Sequence, residues 1–534
     1  MRKYPIIILA LLFMLFGSGI NPARAAAGFS NVSVSFRHSD SRFVITGNFG
    51  DLAGKMVTLL IFDPEGKPVY IDQGLTGARG AFSFQGPVSR PVKGLYKIRL
   101  GGEGNDAPYE TEYEYKQPQI TGGGGSGGGG SSSPAPASAV DLGNSASSQV
   151  REEHGRQVQE TVLDEARAAA ALSQVAVRGE VNLTISGTAA ENRITIPSPV
   201  FKIMEEKAVT LEIQTESAGY TLPLQALEGQ KANGGLVLTI SKIKAEEEKQ
   251  WRQAMAAASL ELAVTPVEFK VEVINDGQKQ EVRQFNRYVS RTLYYAGTGQ
   301  ENLVGVVLNA DGSFAPVPTL VTRENGKVAV VIKRRSNSTY AVVAAPRRTF
   351  ADLNQHWARK EVEQLAGRMI IKGIDAKRFN PAGKVTRAEL AAMLVRALGL
   401  SEQQTGSAKA FSDVPAQAWY ARAVAEATAA GLLVGYQDGR FRPLQPVSRE
   451  EMAVILVRAM KLAGTEVKPE TKAELAKLQD WQQISTWAQE DVAAAVKLEL
   501  FAGDEKGRFN GGNKASRAET ALVLQRLLVK AGLM

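Results

Sequence analysis

One short pattern occurs three times in this chain, as Val385-Thr386-Arg387-Ala388-Glu389, Val447-Ser448-Arg449-Glu450-Glu451 and Ala515-Ser516-Arg517-Ala518-Glu519. The successive arginines are 62 and 68 residues apart. Each arginine follows a tryptophan by 30 residues, a glycine by 14 and a phenylalanine by 8; these are Trp357, Gly373 and Phe379, then Trp419, Gly435 and Phe441, then Trp487, Gly503 and Phe509. Similarity at fixed spacing indicates a repeated supersecondary unit.

Each pattern has the signature of a helix start. A hydroxyl residue followed three positions later by glutamate is typical of a capping box, and the pairs are Thr386 with Glu389, Ser448 with Glu451, and Ser516 with Glu519. Apolar residues then recur at helical spacing, and an earlier helix is predicted to start near each tryptophan and to end towards the glycine. One helix–loop–helix cannot bury its own apolar stripe, so we expect the three units to share an all-α core around a pseudo-threefold axis.

These residues resemble the S-layer homology (SLH) family, whose repeat opens with aromatic-x-Asp, continues with Trp-Ala and closes on Thr-Arg-Ala-Glu. The matching segments are Phe350-Ala351-Asp352 with His356-Trp357-Ala358, and Phe411-Ser412-Asp413 with Trp419-Tyr420. The third unit departs from the family pattern, with Leu478-Gln479-Asp480 in place of the aromatic and Gly511-Gly512 where a proline is usual. The predicted repeats are residues 346–405, 406–468 and 469–534. The resemblance implies binding of a secondary cell-wall polysaccharide, often with pyruvyl ketals, that holds the protein on a bacterial surface.

The resemblance also suggests which residues bind. A helix N-terminus and a first-turn guanidinium both favour a carboxylate, and an indole offers a flat face to a sugar ring. The assigned polysaccharide-binding residues are Arg387, Arg449 and Arg517, with Trp357, Trp419 and Trp487 and with Gly373, Gly435 and Gly503. Three alternatives stay open at this point: the tryptophans are core aromatics, the capping glutamates only cap, and the arginines are solvated charges.

The chain begins with a segment typical of secretion, which we place at residues 1–27. Arg2 and Lys3 precede an apolar run from Ile6 to Phe16, and Ala23-Arg24-Ala25 forms a small-x-small cleavage site. The run is too short to span a bilayer, so we expect cleavage and no membrane span afterwards. The sequence has no cysteine, which excludes a lipoprotein anchor and thiolate metal sites.

Between this segment and the repeats the sequence favours β structure. Residues 28–116 alternate apolar and polar residues between turn signals, which predicts an immunoglobulin-like β-sandwich. Residues 117–140 are rich in Gly, Ser and Pro and are predicted to be a linker. Residues 141–345 are predicted to be a charged helical segment, a loose helix over 141–175, followed by a β-rich domain. The predicted class is therefore a multidomain α+β protein.

Several functional classes are disfavoured. The three histidines, His38, His154 and His356, lie in separate predicted domains and form no metal spacing. The Gly-x-Ser-x-Gly string of residues 124–128 lies in the linker, so it lacks the strand and helix of a nucleophile elbow. The net charge of +8 is dispersed and of mixed sign, and the export signal argues against nucleic acid as a partner.

We therefore expect a secreted, non-catalytic surface protein without metal or cofactor, anchored to an anionic, pyruvylated wall polysaccharide. The β domains are candidates for self-association or for contact with other surface proteins. The alternatives are an S-layer lattice subunit and an SLH-anchored polysaccharide-processing enzyme.

Overall fold

The structure is a computed structural model that describes residues 28–37, 42–50, 53–66, 68–87, 92–102, 108–115, 139–230, 232–298, 302–309, 312–324, 327–400, 411–468 and 472–534. The predicted signal peptide and nearly all of the predicted linker lie outside these residues. The chain divides into two compact units, residues 1–131 and 132–534.

The first unit consists of two antiparallel sheets. Its strands are β1 Phe29–Arg37, β2 Arg42–Phe49, β3 Met56–Phe62, β4 Pro68–Leu75, β5 Ala81–Pro87, β6 Gly94–Gly102 and β7 Tyr109–Tyr115. One sheet has the order β1-β2-β5 and the other β4-β3-β6-β7. Phe43, Ile45, Leu59, Tyr96 and Ile98 are buried in a shared core, because alternate residues of each strand face the same side.

The second unit begins with a β-rich middle domain. Its strands are β8 Val140–Asp141, β9 Ala146–Glu153, β10 Arg156–Leu163, β11 Glu180–Thr184, β12 Glu191–Pro197, β13 Thr210–Gln214, β14 Ala218–Pro223, β15 Gly235–Lys242, β16 Glu261–Asn275, β17 Gln278–Glu281, β18 Gln284–Tyr295, β19 Leu303–Leu308, β20 Phe314–Pro316, β21 Thr319–Glu324, β22 Lys327–Ser336 and β23 Thr339–Ala344. One sheet has the order β20-β19-β23-β16-β15-β12-β10-β9, with β17 beside β16, and the other β21-β22-β18-β14-β13-β11-β8. Three helices accompany them: α1 Glu165–Ser173, α2 Ser198–Glu206 and α3 Ala245–Ala257.

The prediction of a loose helix over residues 141–175 is wrong for most of that segment. Strands β9 and β10 occupy residues 146–163, and only α1 is helical. Strand β10 pairs with β9 on one side and with β12 on the other, and it buries Val158, Thr161 and Leu163. Pairing with a distant strand overrides local composition here, as tertiary context commonly does.

The repeats follow as an α-helical region. Its helices are α4 Arg359–Gly367, α5 Arg387–Leu398, α6 Ala421–Ala429, α7 Arg449–Leu462, α8 Lys472–Leu475, α9 Gln489–Lys497 and α10 Arg517–Lys530. In each repeat a helix that starts just after the tryptophan is followed by a loop and then by a helix that starts at the signature arginine. The three units bury one continuous apolar cluster, since the stripe of each long helix packs against the other repeats.

A closed ring of backbone hydrogen bonds joins the three loops immediately before the signature arginines. The N–H of Val385 donates to the carbonyl of Ala515 (3.1 Å), that of Ala515 to Val447 (2.9 Å), and that of Val447 to Val385 (2.9 Å). Each repeat therefore gives one bond and receives one. The ring places three helix N-termini around a common centre.

The middle domain packs against the first repeat through defined polar contacts. The Tyr288 hydroxyl donates to the carbonyl of Leu398 (2.8 Å), and buried Arg334 donates through Nε to Gly399 (3.0 Å). Both carbonyls lie at the C-terminal end of α5, where helix carbonyls lack partners within the helix. The Asn302 amide donates to the carbonyl of Gly367 at the end of α4 (2.7 Å).

Candidate functional site

The site is built on the three capping boxes. In each box the hydroxyl accepts the N–H of the glutamate three residues on, and the glutamate carboxylate accepts the N–H of the hydroxyl residue; the pairs are Thr386 and Glu389, Ser448 and Glu451, and Ser516 and Glu519. These bonds fix the first turn of α5, α7 and α10. They therefore fix the starting point of each signature arginine.

The signature arginines reach across to the next repeat. Arg387 donates through Nε to the carbonyl of Phe441 (2.9 Å) and through Nη2 to Val434 (2.6 Å). Arg517 makes the same two contacts with the first repeat, to Phe379 (2.9 Å) and Lys372 (2.6 Å). Arg517 also donates through Nη1 to Glu389 (3.3 Å). These bonds use the guanidinium as a bridge between repeats.

Arg449 keeps the Nε contact and the contact with a carboxylate but lacks the second bond to a carbonyl of the described residues. It donates through Nε to the carbonyl of Phe509 (2.9 Å) and through Nη1 to Glu519 (3.0 Å). Its side chain is 14% exposed, whereas that of Arg517 is 7% exposed. Arg449 is therefore the most accessible of the three, since Arg387 is also nearly buried.

An aspartate in each repeat fixes the loop that carries these carbonyls, and sequence reasoning missed this role. Its carboxylate accepts two successive backbone N–H groups; the sets are Asp352 with Phe379 and Asn380, Asp413 with Phe441 and Arg442, and Asp480 with Phe509 and Asn510. The third residue of the aromatic-x-Asp motif was the available signal. The aspartate thereby holds the carbonyl that receives the arginine Nε.

The glycines stand where two parts of a repeat approach closely. A Cβ at Gly435 would lie 2.2 Å from Cε1 of Phe411, and one at Gly373 would lie 2.5 Å from Cε1 of Phe350. At Gly503 the nearest atom is a backbone carbon of Gly507, 3.1 Å away. The aromatic of the opening motif, which the third repeat lacks, thus requires glycine at position 435, and at position 373 it does so together with the backbone oxygens of Asp375 and Arg378.

The tryptophans lie on the surface, so the alternative of core aromatics does not apply. Trp357, Trp419 and Trp487 are 59%, 66% and 60% exposed. They are available to a ligand as flat apolar faces.

A groove of about 590 Å³ opens beside Arg449. Its lining includes the loop around Gly503, the first turns of α10, and the cations Lys384, Lys514 and Arg526. Two carboxylates also line it. Burial raises the pKa of Glu519, but hydrogen bonds from Ser516 and the charge of Arg449 outweigh this and hold it below its ordinary value.

The second carboxylate of the groove is engaged by its own loop. Asp504 accepts the backbone N–H groups of Arg508 and Lys506 and pairs with the Arg508 guanidinium. These hydrogen bonds lower the pKa of Asp504. Both acids are thus ionised and already partnered, while Lys384 and Lys514 are exposed. The groove can attract an anion through its remaining positive charge.

The other two junctions differ at equivalent positions. Lys384 and Lys514 both flank the groove beside Arg449, but the corresponding position of the second repeat is Pro446, so the other junctions have one lysine each. At the Arg387 junction the ring of Tyr436 also lies over the guanidinium, 4.9 Å from centroid to Cζ. The three junctions therefore share their sequence motif but differ in their positive charge and in how open they are beside the arginine.

Comparison with known proteins identifies the family of the three repeats. The family model of the S-layer homology domain matches residues 349–391, 410–453 and 478–521. An amylopullulanase of Thermoanaerobacterium thermosulfurigenes is 38% identical over 35% of this chain and 10% of its own length. The exoglucanase XynX of Acetivibrio thermocellus is 36% identical over 34% of this chain and 16% of its own.

A surface-layer 125 kDa protein of Lysinibacillus sphaericus is 29% identical over 36% of this chain and 16% of its own length. This chain thus spans 10% to 16% of the length of these three relatives. The enzymes among the relatives match the repeats alone.

None of the helices among the described residues is both long and apolar enough to cross a membrane. No group of three or more His, Asp or Glu side chains in this part of the chain is placed to hold a metal ion. With its three family matches and its surface-layer relatives, the chain is a secreted cell-surface protein that carries three SLH repeats.

Proposed function

We propose that the repeats anchor the protein non-covalently to the cell wall by binding an anionic, pyruvylated secondary cell-wall polysaccharide. The groove beside Arg449 is the principal site in this proposal. The observation that carries it is the convergence of Arg449, Lys384, Lys514 and Arg526 on one opening whose two acids are already partnered. A ketal carboxylate would complement the surplus positive charge.

The three signature arginines have different shares in this proposal. Arg449 uses Nε and Nη1 for the protein, and its Nη2 makes no hydrogen bond to the described part of the chain. Arg387 and Arg517 serve mainly to close the ring of repeats, because each gives two donors to carbonyls of the next repeat and Arg517 gives a third to Glu389. The ring supports a pseudo-threefold arrangement of the three units.

In this proposal the repeats hold the first unit and the middle domain on the cell wall. These two parts extend outward from it and have no catalytic role. The first unit, with three strands in one sheet and four in the other, fits an immunoglobulin-like spacer. The enzyme names of relatives do not transfer, because those proteins match only the repeats.

A second candidate is a subunit of an S-layer lattice. The observation that favours it is the match to surface-layer proteins of Lysinibacillus sphaericus and Bacillus thuringiensis. Ordered sheets formed by the purified chain, seen by electron microscopy, would support this candidate; monodisperse protein at high concentration would oppose it.

The test of the anchor is sedimentation of the full chain with purified cell walls. We expect the chain to pellet with walls that retain their acidic polysaccharide and to stay in solution after mild acid removes the pyruvyl ketals. A matched sample treated to remove neutral side chains serves as control. Equal pelleting with and without the ketals would contradict the proposal.

A further inference from the structure

A second pocket, of about 360 Å³, lies between the middle domain and the first repeat. The middle domain contributes Leu260, Phe314 and Pro316, and the first repeat contributes Phe350 and Met369. This wall is apolar. The pocket is held open by the polar contacts that fix the middle domain to the ends of α4 and α5.

Three cations line the same pocket: Arg348, Lys372 and Arg396. Its one lining carboxylate, Asp375, accepts the backbone N–H groups of Lys377 and Arg378 and the Nε of Arg378 (2.7 Å). These bonds hold the pKa of Asp375 below its ordinary value. Asp375 is therefore ionised, and its partner is Arg378 and not one of the trio of cations Arg348, Lys372 and Arg396.

The trio lacks a compensating negative charge among the described residues. Arg396 donates through Nε to the carbonyl of Ile370 (2.7 Å), and no ion pair with a described acid forms there. Burial lowers the pKa of Arg396 to about 10, and burial together with the charge of Arg396 lowers that of Lys372. Lys372 is exposed at the mouth of the pocket and Arg396 is half-buried, so an anion bound between them would be attracted by both charges.

Only the first repeat has a lysine at the position that Lys372 occupies beside Arg396. Arg396 has counterparts in Arg458 and Arg526, and each donates to the carbonyl three residues beyond the end of the preceding helix. At the position of Lys372, however, the other repeats have Val434 and Ala502. The arginine that all three repeats share supports the fold. Lys372 adds a positive charge that the fold of the other two repeats does without.

We infer that this pocket is a second saccharide site, in which a carboxylate-bearing sugar pairs with Lys372, Arg348 and Arg396 while its ring lies on the apolar wall. The site needs the middle domain, which therefore takes part in recognition. The choice of an acidic sugar as the ligand rests on the proposed function. The location of the pocket does not.

The test uses the methyl group of Met369, which lines this pocket, whereas no methionine lines the groove beside Arg449. The full chain is labelled with ¹³C-methyl methionine, and the Met369 signal is identified by Met369→Leu. The probes are glucuronic acid, glucose and inorganic phosphate. We expect a saturable shift of this signal with glucuronic acid and none with glucose at equal concentration.

Two double substitutions that remove the same charge serve as the test and its control. Lys372→Gln with Arg348→Gln should weaken glucuronic acid binding at this signal at least tenfold. Arg347→Gln with Lys377→Gln changes exposed neighbours outside the pocket and should leave it unchanged. An unshifted signal, an equal response to glucose, equal affinity for phosphate, or equal effects of the two pairs would each overturn the inference.

One further variant separates this inference from the anchor. Arg449→Gln should leave the Met369 response intact, because Arg449 lines the other groove. Loss of that response would show that the two sites are not independent and would overturn the inference. Failure of walls to bind the unmodified chain would instead count against the proposed function.

Discussion

The junctions at Arg387 and Arg449 start from the same sequence pattern and end in different environments. Arg387 gives two donors to carbonyls of the second repeat and is covered by the rings of Tyr436 and Phe441. Arg449 gives one donor to a carbonyl and one to Glu519, and it faces a groove with two exposed lysines. One arginine closes the fold, and the other is left partly available to a ligand.

The difference comes from a few positions around the shared frame. The frame itself, with cap, aspartate clamp and Nε contact, is the same in all three repeats. Where Tyr436 covers one junction, the equivalent residues are Ile374 and Asp504. The signature motif can therefore have a structural role in all three repeats and a binding role only beside Arg449.

The largest expected effect is on stability at the Arg387 junction. Arg387→Met leaves two carbonyls without their charged donor, so we expect a loss of about 3 kcal/mol in the free energy of unfolding of the repeats. Arg449→Met removes one such bond and a partly exposed ion pair, for a loss of about 1.5 kcal/mol. Urea unfolding followed by tryptophan fluorescence measures both. Equal losses would contradict the distinction between the junctions.

A second comparison concerns the glycines. Gly435→Ala places a methyl group against Phe411, and we expect it to destabilise the repeats by about 2 kcal/mol. Gly503→Ala places its methyl group 3.1 Å from a backbone carbon of Gly507, which is tight but less so than the contact at Gly435, and should cost about 1 kcal/mol. Thermal unfolding of the two variants side by side gives the comparison. The reverse order would mean that the opening aromatic does not set the need for glycine.

The smallest expected effect is the pH dependence at Glu519. Its pKa is lower in the folded chain than the ordinary value of 4.5, so its stabilising contribution is complete above pH 4.5 and is lost as the pH falls through the folded pKa. Glu519→Gln should therefore flatten the decline of stability below pH 4.5, by less than about 1 kcal/mol. Unfolding measured from pH 6 down to about pH 3 tests this. An unchanged profile in the variant would contradict it.

The frame could be predicted from the sequence because it depends on local spacing. Thr386 and Glu389 are three residues apart, and that spacing alone specifies a cap. The destination of Arg387 could not be predicted in this way, since Val434 and Phe441 come from another repeat.

The same limit applies to the middle domain. Strand β10 pairs with β12 across an intervening strand and helix, and composition around residues 141–163 gave no sign of that pairing. The pocket that contains Lys372 could not be predicted from the sequence either, because part of its wall, including Leu260, Phe314 and Pro316, comes from a different domain. Contacts distant in sequence decided each of these features.

The most direct test of the central claim, that the groove beside Arg449 holds the acidic wall polysaccharide, is the affinity of the full chain for purified walls after Lys384→Gln with Lys514→Gln. Lys202→Gln with Lys279→Gln, two exposed lysines of the middle domain, removes the same charge elsewhere. We predict at least a tenfold loss of affinity for the first pair and no change for the second. Equal affinities for the two pairs would contradict the claim.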